Sequence, residues 1–290
     1  MKNNRNETLL FAVPNDTNEI IRNNINKIDN FMLKLNKYAS FKSSDQNDSD
    51  KRKQNDSDKR KDDEYKIDNK DLKLLSKERF DNVIKFVNKQ KYIIEKYKSS
   101  GYDVCEYNFK PFKQIIIGLG QESVRELSIT LHWIYGIPYI PGQSIKGSVS
   151  NWIISEMGEN IKQDHNFTEI FGDQDRRGNV IFLDSYPKDS NFNLKLDIFN
   201  PHYPDYYQAE KTPTTPPTDW QDPVPIFFLT VEKAIFNVSV IYLKKGIKEM
   251  KIANKNLEGW MSESFEYEGI GAKTALGYGT GSLIKQRSGE

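Results

Sequence analysis

A single cysteine, Cys105, in 290 residues excludes an internal disulfide framework and any multi-cysteine metal site. No apolar run approaches the roughly 20 residues that span a bilayer, and the polar N-terminus lacks the apolar stretch of a signal peptide. A cytoplasmic chain with no membrane partner is therefore expected. Net charge is nearly absent as well, since 42 basic and 41 acidic residues leave +1. A free-standing, non-specific nucleic-acid binder carries a clear positive excess, because phosphate neutralisation supplies most of its affinity. Any nucleic-acid contact must then be local, or shared with other chains. Two nucleotide motifs are also missing. Lys146-Gly147-Ser148 has lysine and glycine in the wrong order for a P-loop, and Gly118-Leu-Gly120 lacks the third glycine of a dinucleotide fingerprint. No cofactor is expected.

What is present is unevenly distributed. Hydrophobic residues make up 37% and the mean hydropathy is −0.73, so a core-forming part and a solvated part share the chain. Residues 17–38 space Ile20, Ile21, Ile25, Ile28, Phe31, Leu35 and Tyr38 as a helix, with Asp16 or Thr17 as its cap. The octad Gln-Asn-Asp-Ser-Asp-Lys-Arg-Lys at 46–53 recurs at 54–61. It has no hydrophobic residue to offset the entropy of ordering, so 42–64 is expected to be a disordered loop. A second helix near 76–98 carries Phe80, Val83, Ile84, Val87, Ile94 and Tyr97 on its core stripe and ends at Gly101.

From about residue 110 the texture is that of strands. Ile115–Leu119 is a short apolar run, and Leu127–Ile134 alternates apolar and polar positions like a half-buried strand. A helix is expected over Ser144–Met157, a strand over Val180–Tyr186, one long or two short strands over Phe227–Leu243, a helix over Ile247–Phe265 and a strand over Tyr278–Ile284. The order strand, helix, strand, strand, helix, strand belongs to an α+β ferredoxin-like domain, with helices on one sheet face and the other left for a ligand or neighbour. Residues 1–105 read as a helical extension and 106–290 as the ferredoxin-like domain. The latter carries an insertion at 187–225, where the stretch 200–225 holds seven of the 12 prolines and must be a long loop.

Two segments carry chemistry. Five of 17 glycines fall between Gly269 and Gly281, interrupted by Lys273, Thr274 and Tyr278. Glycine tolerates positive φ and close backbone approach, so the amides of Gly271, Gly277 and Gly279, with Lys273 and Thr274, suit a phosphate clasp. A glycine-rich turn with no ligand fits the same residues. The second segment is Ile140-Pro141-Gly142-Gln143-Ser144-Ile145-Lys146-Gly147. Pro141-Gly142 forces a turn and Ser144 is placed to cap the next helix. Lys146 in a first turn opposes the helix dipole unless an anion binds there. An exposed lysine on an ordinary turn remains the plain alternative. The two clasps are expected at opposite ends of the core, jointly gripping a sugar–phosphate strand.

Together these segments resemble the RAMP superfamily of CRISPR proteins. One branch, the sixth subunits of type III-B Cmr effectors, is similar in further stretches. These are Glu126 to Lys146, Phe171-Gly172 with Val180–Asp184, Asn200–Tyr203 with Tyr206-Tyr207, and Pro225–Leu229. Gln143 departs from the small hydroxyl residue common at that position. The resemblance covers about 110–285 and implies a non-catalytic scaffold subunit that binds crRNA, and indirectly target RNA, and caps the backbone stack at the crRNA 3′ end. It implies contacts with the adjacent RAMP backbone subunit, the small helical subunit and the terminal RAMP subunit.

Some RAMP relatives are metal-independent endoribonucleases that use a histidine. Of His132, His165 and His202, His132 is the one on a strand, but a catalytic histidine needs a second oriented group and none lies nearby in sequence. Asp173, Asp175 and Asp184 read as a polar turn and a strand end rather than a metal cluster. Tyr203, Tyr206, Tyr207 and Trp220 in the proline-rich loop admit base stacking or docking on a neighbouring subunit, and docking is favoured. Lys244, Lys245, Lys248, Lys251 and Lys255 form either a phosphate-facing patch or a solvated helix face.

Overall fold

A computed structural model describes residues 10–11, 13–43, 65–67, 80, 83–121, 123, 128–200, 216 and 225–286. The octad repeat and the aromatics Tyr203, Tyr206, Tyr207 and Trp220 lie outside these residues. In chain order the elements are β1 Leu10–Phe11, α1 Asn15–Asn24, α2 Phe31–Asn36, β2 Ser40–Ser43, β3 Tyr65–Ile67, α3 Val83–Ser99, β4 Asp103–Pro111 and β5 Gln114–Ile115. There follow α4 Gly142–Met157, α5 His165–Phe171, β6 Val180–Phe182, β7 Tyr186–Pro187, β8 Asn193–Phe199, β9 Ile226–Glu232 and β10 Phe236–Tyr242. A short β11 Lys251–Ile252 and β12 Lys255–Asn256 lead into α6 Leu257–Glu263, and β13 Gly281–Lys285 closes the fold. No helix among the described residues is long and apolar enough to cross a membrane.

The central sheet has the order β13-β4-β10-β6 and is antiparallel throughout. Numbered within that sheet as 4-1-3-2, with α4 after the first strand and α6 after the third, this is the ferredoxin-like arrangement. Its first strand is β4. Cys105, Tyr107 and Phe109 are buried there and Glu106, Asn108 and Lys110 point the other way, the period-2 alternation of a strand. Leu127–Ile134 is not that strand. Ser128 to Leu131 are consecutively buried, a single bridge joins Leu131 to Pro138, and residues 133–135 turn.

Alternation along β4 also fixes the layers. The Tyr107 hydroxyl donates to Glu258 of α6 at 3.3 Å, and the Phe109 ring meets Phe265 edge-on at 4.7 Å. Glu106, on the opposite side, pairs with Lys98 of α3 at 2.7 Å. Successive strand side chains leave opposite faces, so α3 covers the face expected to stay open. Its buried positions are Val83, Val87, Gln90 and Ile94, whereas Ile84 is exposed.

Other departures from the expected elements have local causes. The first helix breaks at Ile25–Lys27. Asn23 and Asn24 donate back to the carbonyls of Glu19 and Ile20, and Asn30 starts α2 by accepting from the Leu33 amide, the competing backbone bonds that asparagine favours. The expected Ile247–Phe265 helix begins only at Leu257, because Ala253 and Asn254 adopt φ of 47° and 69° and turn β11 into β12. Asn256 then caps α6 through the Gly259 amide at 3.0 Å. After Glu263 the helix widens into a π turn over Ser264–Glu268. The β9 and β10 strands part at Lys233, where φ is 62°, and β9 joins β5 and β8 in a separate sheet.

Phe109 is fully buried between the sheet and α6, where collapse around a truncated side chain is limited. Phe109→Ala is expected to cost about 3–5 kcal/mol, read as a lowered urea midpoint with an unchanged m-value.

Candidate nucleic-acid interface

The proline turn before α4 is held by packing and by charge. A Cβ on Gly142 would stand 2.1 Å from the Phe182 carbonyl oxygen, so only glycine fits. Pro141, not Ser144, occupies the N-cap position, without a side-chain cap, and the Ser144 amide donates to the Pro141 carbonyl. The capping group comes from elsewhere. β6 and β7 are separated by a bulge at Leu183–Ser185 that turns Asp184 outward, and its Oδ1 accepts from the Gly142 amide at 2.8 Å. A carboxylate thus already stands at one of the free helix amides. Lys146 is half-buried in the first turn, and the exposed Gly147 has open space where a side chain would be.

Residues Gly269–Gly279 form a compact loop with positive φ at Gly269, Gly271, Lys273, Gly277 and Gly279. It docks by backbone hydrogen bonds on the segment after β4: Gly279 donates to Gln114 and Ala272 to Ile116, while Ile270 donates across the loop to Gly279. A Cβ on Gly271 would meet the Ile116 carbonyl oxygen at 2.1 Å, and one on Gly279 the Ile270 carbonyl oxygen at 1.9 Å. Intrachain packing alone therefore demands both glycines. Gly277 differs, having φ of 84° and open space around it. Thr274 begins a 3-10 turn ending at Leu276, and Leu276 is exposed. The Lys273 ammonium lies 3.6 Å over the Phe199 ring, within cation–π range. The Tyr278 hydroxyl donates to Asp197 at 2.8 Å; burial, and secondarily that carboxylate, push it up to about 12.

The two loops stand beside opposite edge strands of the central sheet, β6 and β13. Gly281, just past the glycine loop, pairs with Pro111 at the end of β4. Gly142 packs on Phe182 at the end of β6, and Phe182 is level, through Val240 of β10, with Cys105 near the start of β4. Lys146 and Gly147 thus stand by one edge of the sheet, and Lys273, Thr274 and Gly277 by the other.

The remaining candidates are used structurally. Nδ1 of His132 accepts from the amides of Ile134 and Tyr135 at 3.2 and 3.3 Å. Its ring packs among Phe86, Tyr135, Tyr139 and Tyr186. Burial, with a smaller contribution from Lys89, holds the imidazole below its usual pKa, while Asp184 opposes the shift. Asp173 accepts the amides of Asp175 and Arg176, the polar turn expected there. Among the described residues no group of three or more His, Cys, Asp or Glu is placed to hold a metal. In the lysine patch, Lys244 pairs with Glu169 at 3.5 Å. Lys255 pairs with Glu263 and lies 4.1 Å over Trp260. The role of Asp184 was not legible beforehand, because capping across 42 residues of chain leaves no short sequence pattern.

A family model described as the RAMP superfamily matches residues 113–282. Among curated proteins the chain is 32% identical to the CRISPR system Cmr subunit Cmr6 of Pyrococcus furiosus, over 59% of this chain and 65% of that protein. It is 27% identical to the Cmr6 subunit of Saccharolobus solfataricus, over 65% of this chain and 61% of that protein. The chain thus spans less than two thirds of the length of either relative. A chain in the cryo-EM structure of the Type III-B Cmr-beta bound to cognate target RNA shares the fold. The TM-score is 0.56 at 24% identity, over 74% of this chain and 69% of that one.

Gly271→Ala forces a positive-φ alanine against the Ile116 carbonyl, and is expected to lower stability by about 3 kcal/mol, against about 1 kcal/mol for Gly277→Ala, where only the backbone is strained. Chemical denaturation of the two variants compares them directly. For His132 the folded pKa is depressed, so the unfolded chain binds the proton more readily and stability rises with pH across that window. Stability held above the unfolded value of about 6.5 is lost as pH falls through it. His132→Gln should flatten that part of the curve when urea midpoints are measured between pH 7.5 and pH 5.

Proposed function

Because the chain belongs to the RAMP superfamily, we propose that it is a Cmr6-type subunit of a type III-B CRISPR effector, a non-catalytic scaffold that binds crRNA. Its relatives carry the Cmr6 name. The observation that carries the RNA-binding part is the placement of the proline turn and the glycine loop beside the two edge strands of one sheet. Lys146 and the open Gly147 stand at one edge, and Thr274 and the open Gly277 at the other. A sugar–phosphate strand crossing the sheet would meet one cation at each edge. The RNA-binding set in this reading is Gly142, Ser144, Lys146, Gly147, Gly271, Lys273, Thr274, Gly277, Tyr278 and Gly279. Within it, Gly142, Gly271, Gly279 and Tyr278 shape the loops, and Lys146, Lys273 and Thr274 approach phosphate.

The near-neutral chain suits a site shared with neighbouring subunits, in which other chains supply the rest of the positive field. In this reading it caps the stack of backbone subunits at the crRNA 3′ end in the cytoplasm. The adjacent RAMP backbone subunit, the small helical subunit and the terminal RAMP subunit are its neighbours, and target RNA is reached through the guide. A ribonuclease role for His132 has less support. One ring nitrogen is held by two backbone amides, and among the described residues no second titratable group is hydrogen-bonded to it. A protein-only adaptor has one observation in its favour, namely that Lys273 and Tyr278 engage Phe199 and Asp197 of the same chain.

The double variant Lys146→Ala/Lys273→Ala separates scaffold from adaptor. In the reconstituted complex it is expected to weaken crRNA retention about tenfold and to reduce the salt dependence of binding. Unchanged retention with intact assembly would establish the adaptor instead.

A further inference from the structure

Helix α3 lies wholly before the segment that matches the RAMP family, and its outward face carries a row of lysines with a tyrosine among them. Core contacts come from Val83, Val87, Gln90 and Ile94. On the opposite side Lys85, Lys89, Tyr92 and Lys96 fall at i, i+4, i+7 and i+11, one continuous stripe about 16 Å long. All four are exposed, Tyr92 at 63%, and the Lys96 ammonium stands 5.4 Å from the Tyr92 ring centroid. The acidic residue of this helix, Glu95, is paired with Lys98, which also holds Glu106. Lys85, Lys89 and Lys96 make no ion pair with any described residue.

Like charges at i and i+4 disfavour the helix that carries them, so Lys85 and Lys89 stand together at a cost to α3. An aromatic loop abuts it. Phe86 of α3 packs 5.0 Å from His132 and 4.9 Å from Tyr135, and between those two residues Trp133 is 75% exposed and Ile134 72%. That loop is fixed rather than mobile. Asn30 donates to the carbonyls of Trp133 and Ile134 at 2.8 and 2.9 Å, His132 accepts the two amides that follow, and Gly136 donates back to the His132 carbonyl.

We propose that the outward face of α3, with Trp133 beside it, binds single-stranded RNA, the lysines following the phosphates and the rings of Tyr92 and Trp133 stacking on bases. Unpaired cations interleaved with exposed, pre-positioned rings are what such a strand requires. A protein partner fits less well, because lysine is depleted at protein interfaces and desolvating it is unfavourable. The inference rests on reading the chain as an RNA-binding subunit but not on Lys146 or Lys273, so RNA contacts would extend beyond the family core to a second surface.

The test is fluorescence anisotropy of the full-length chain with a labelled 20-nucleotide oligouridylate across a salt series. It compares wild type, Lys85→Ala/Lys89→Ala/Lys96→Ala, Tyr92→Ala and Lys146→Ala/Lys273→Ala, with circular dichroism confirming the fold. The triple variant is expected to bind about tenfold more weakly and to lower the log–log salt slope by about 2, from three lost phosphate contacts. Tyr92→Ala should weaken binding about fivefold or more with the slope unchanged. Wild-type affinity and slope in the triple variant overturn the inference, as does absence of binding by the wild type at micromolar protein and about 100 mM salt. If only Lys146→Ala/Lys273→Ala weakens binding, the inference fails while the proposed function stands; if only the α3 variants do, the inference stands and the loop reading fails. A triple variant that binds RNA normally but no longer joins the complex would make this face a protein interface and overturn the inference.

Discussion

Ile115, Ile116 and Ile117 are buried at 0%, 0% and 3% exposure, and the backbone of this segment joins the otherwise separate parts of the molecule. Ile115 pairs with Val231 of β9, the Ile116 carbonyl accepts from Ala272 of the glycine loop, and the Ile117 carbonyl accepts from Thr130. A segment enclosed on every side must place each polar backbone group on a partner, since an orphan there costs about 1–3 kcal/mol. It also has no polar face to alternate, which is why it reads as a plain apolar run. The glycine loop is shaped by this constraint before any ligand is considered.

Electrostatics at the other loop follows the same economy. Asp184 caps α4 through Gly142, and its charge is also felt by Tyr139, Tyr186 and His132. A carboxylate at a helix N-terminus stabilises it by about 0.3–1 kcal/mol while making that amide a poorer place for a second anion. In the proposed reading, a phosphate at this turn would meet Lys146 rather than the Gly142 amide. The proline turn is thus already capped from within the chain.

Much of the ferredoxin-like core could be read beforehand, because it is written in short-range signals. Pro141-Gly142 announced α4, the alternating apolar positions of β10 announced a strand, and Gly101 closed α3. Other elements were hidden by what lies far off in sequence. The alternation of Cys105, Tyr107 and Phe109 was present but straddled the boundary expected at 105/106, ahead of the first expected strand. The consecutive burial of Ser128 to Leu131 arises only when Ile117 lies alongside. Residues 247–256 have helix-compatible composition, and the hairpin rests on positive φ at Ala253 and Asn254, which no glycine marked. Of the candidate site, the glycines were correctly singled out as unusual, yet for Gly271 and Gly279 the Ile116 and Ile270 carbonyls account for them.

The wide turn at Ser264–Glu268 sets the phase of everything after it. A π turn holds one residue more than the α-helical turn it replaces, and each residue of an α-helix rotates the chain by about 100°. Had α6 run on without the surplus residue, the chain would leave the helix pointing about a quarter-turn away from Ile116, and Gly269 would face the wrong neighbour. Shortening this segment by a single position would therefore do more harm than most substitutions within it, because the error would be angular and would be inherited by the whole loop.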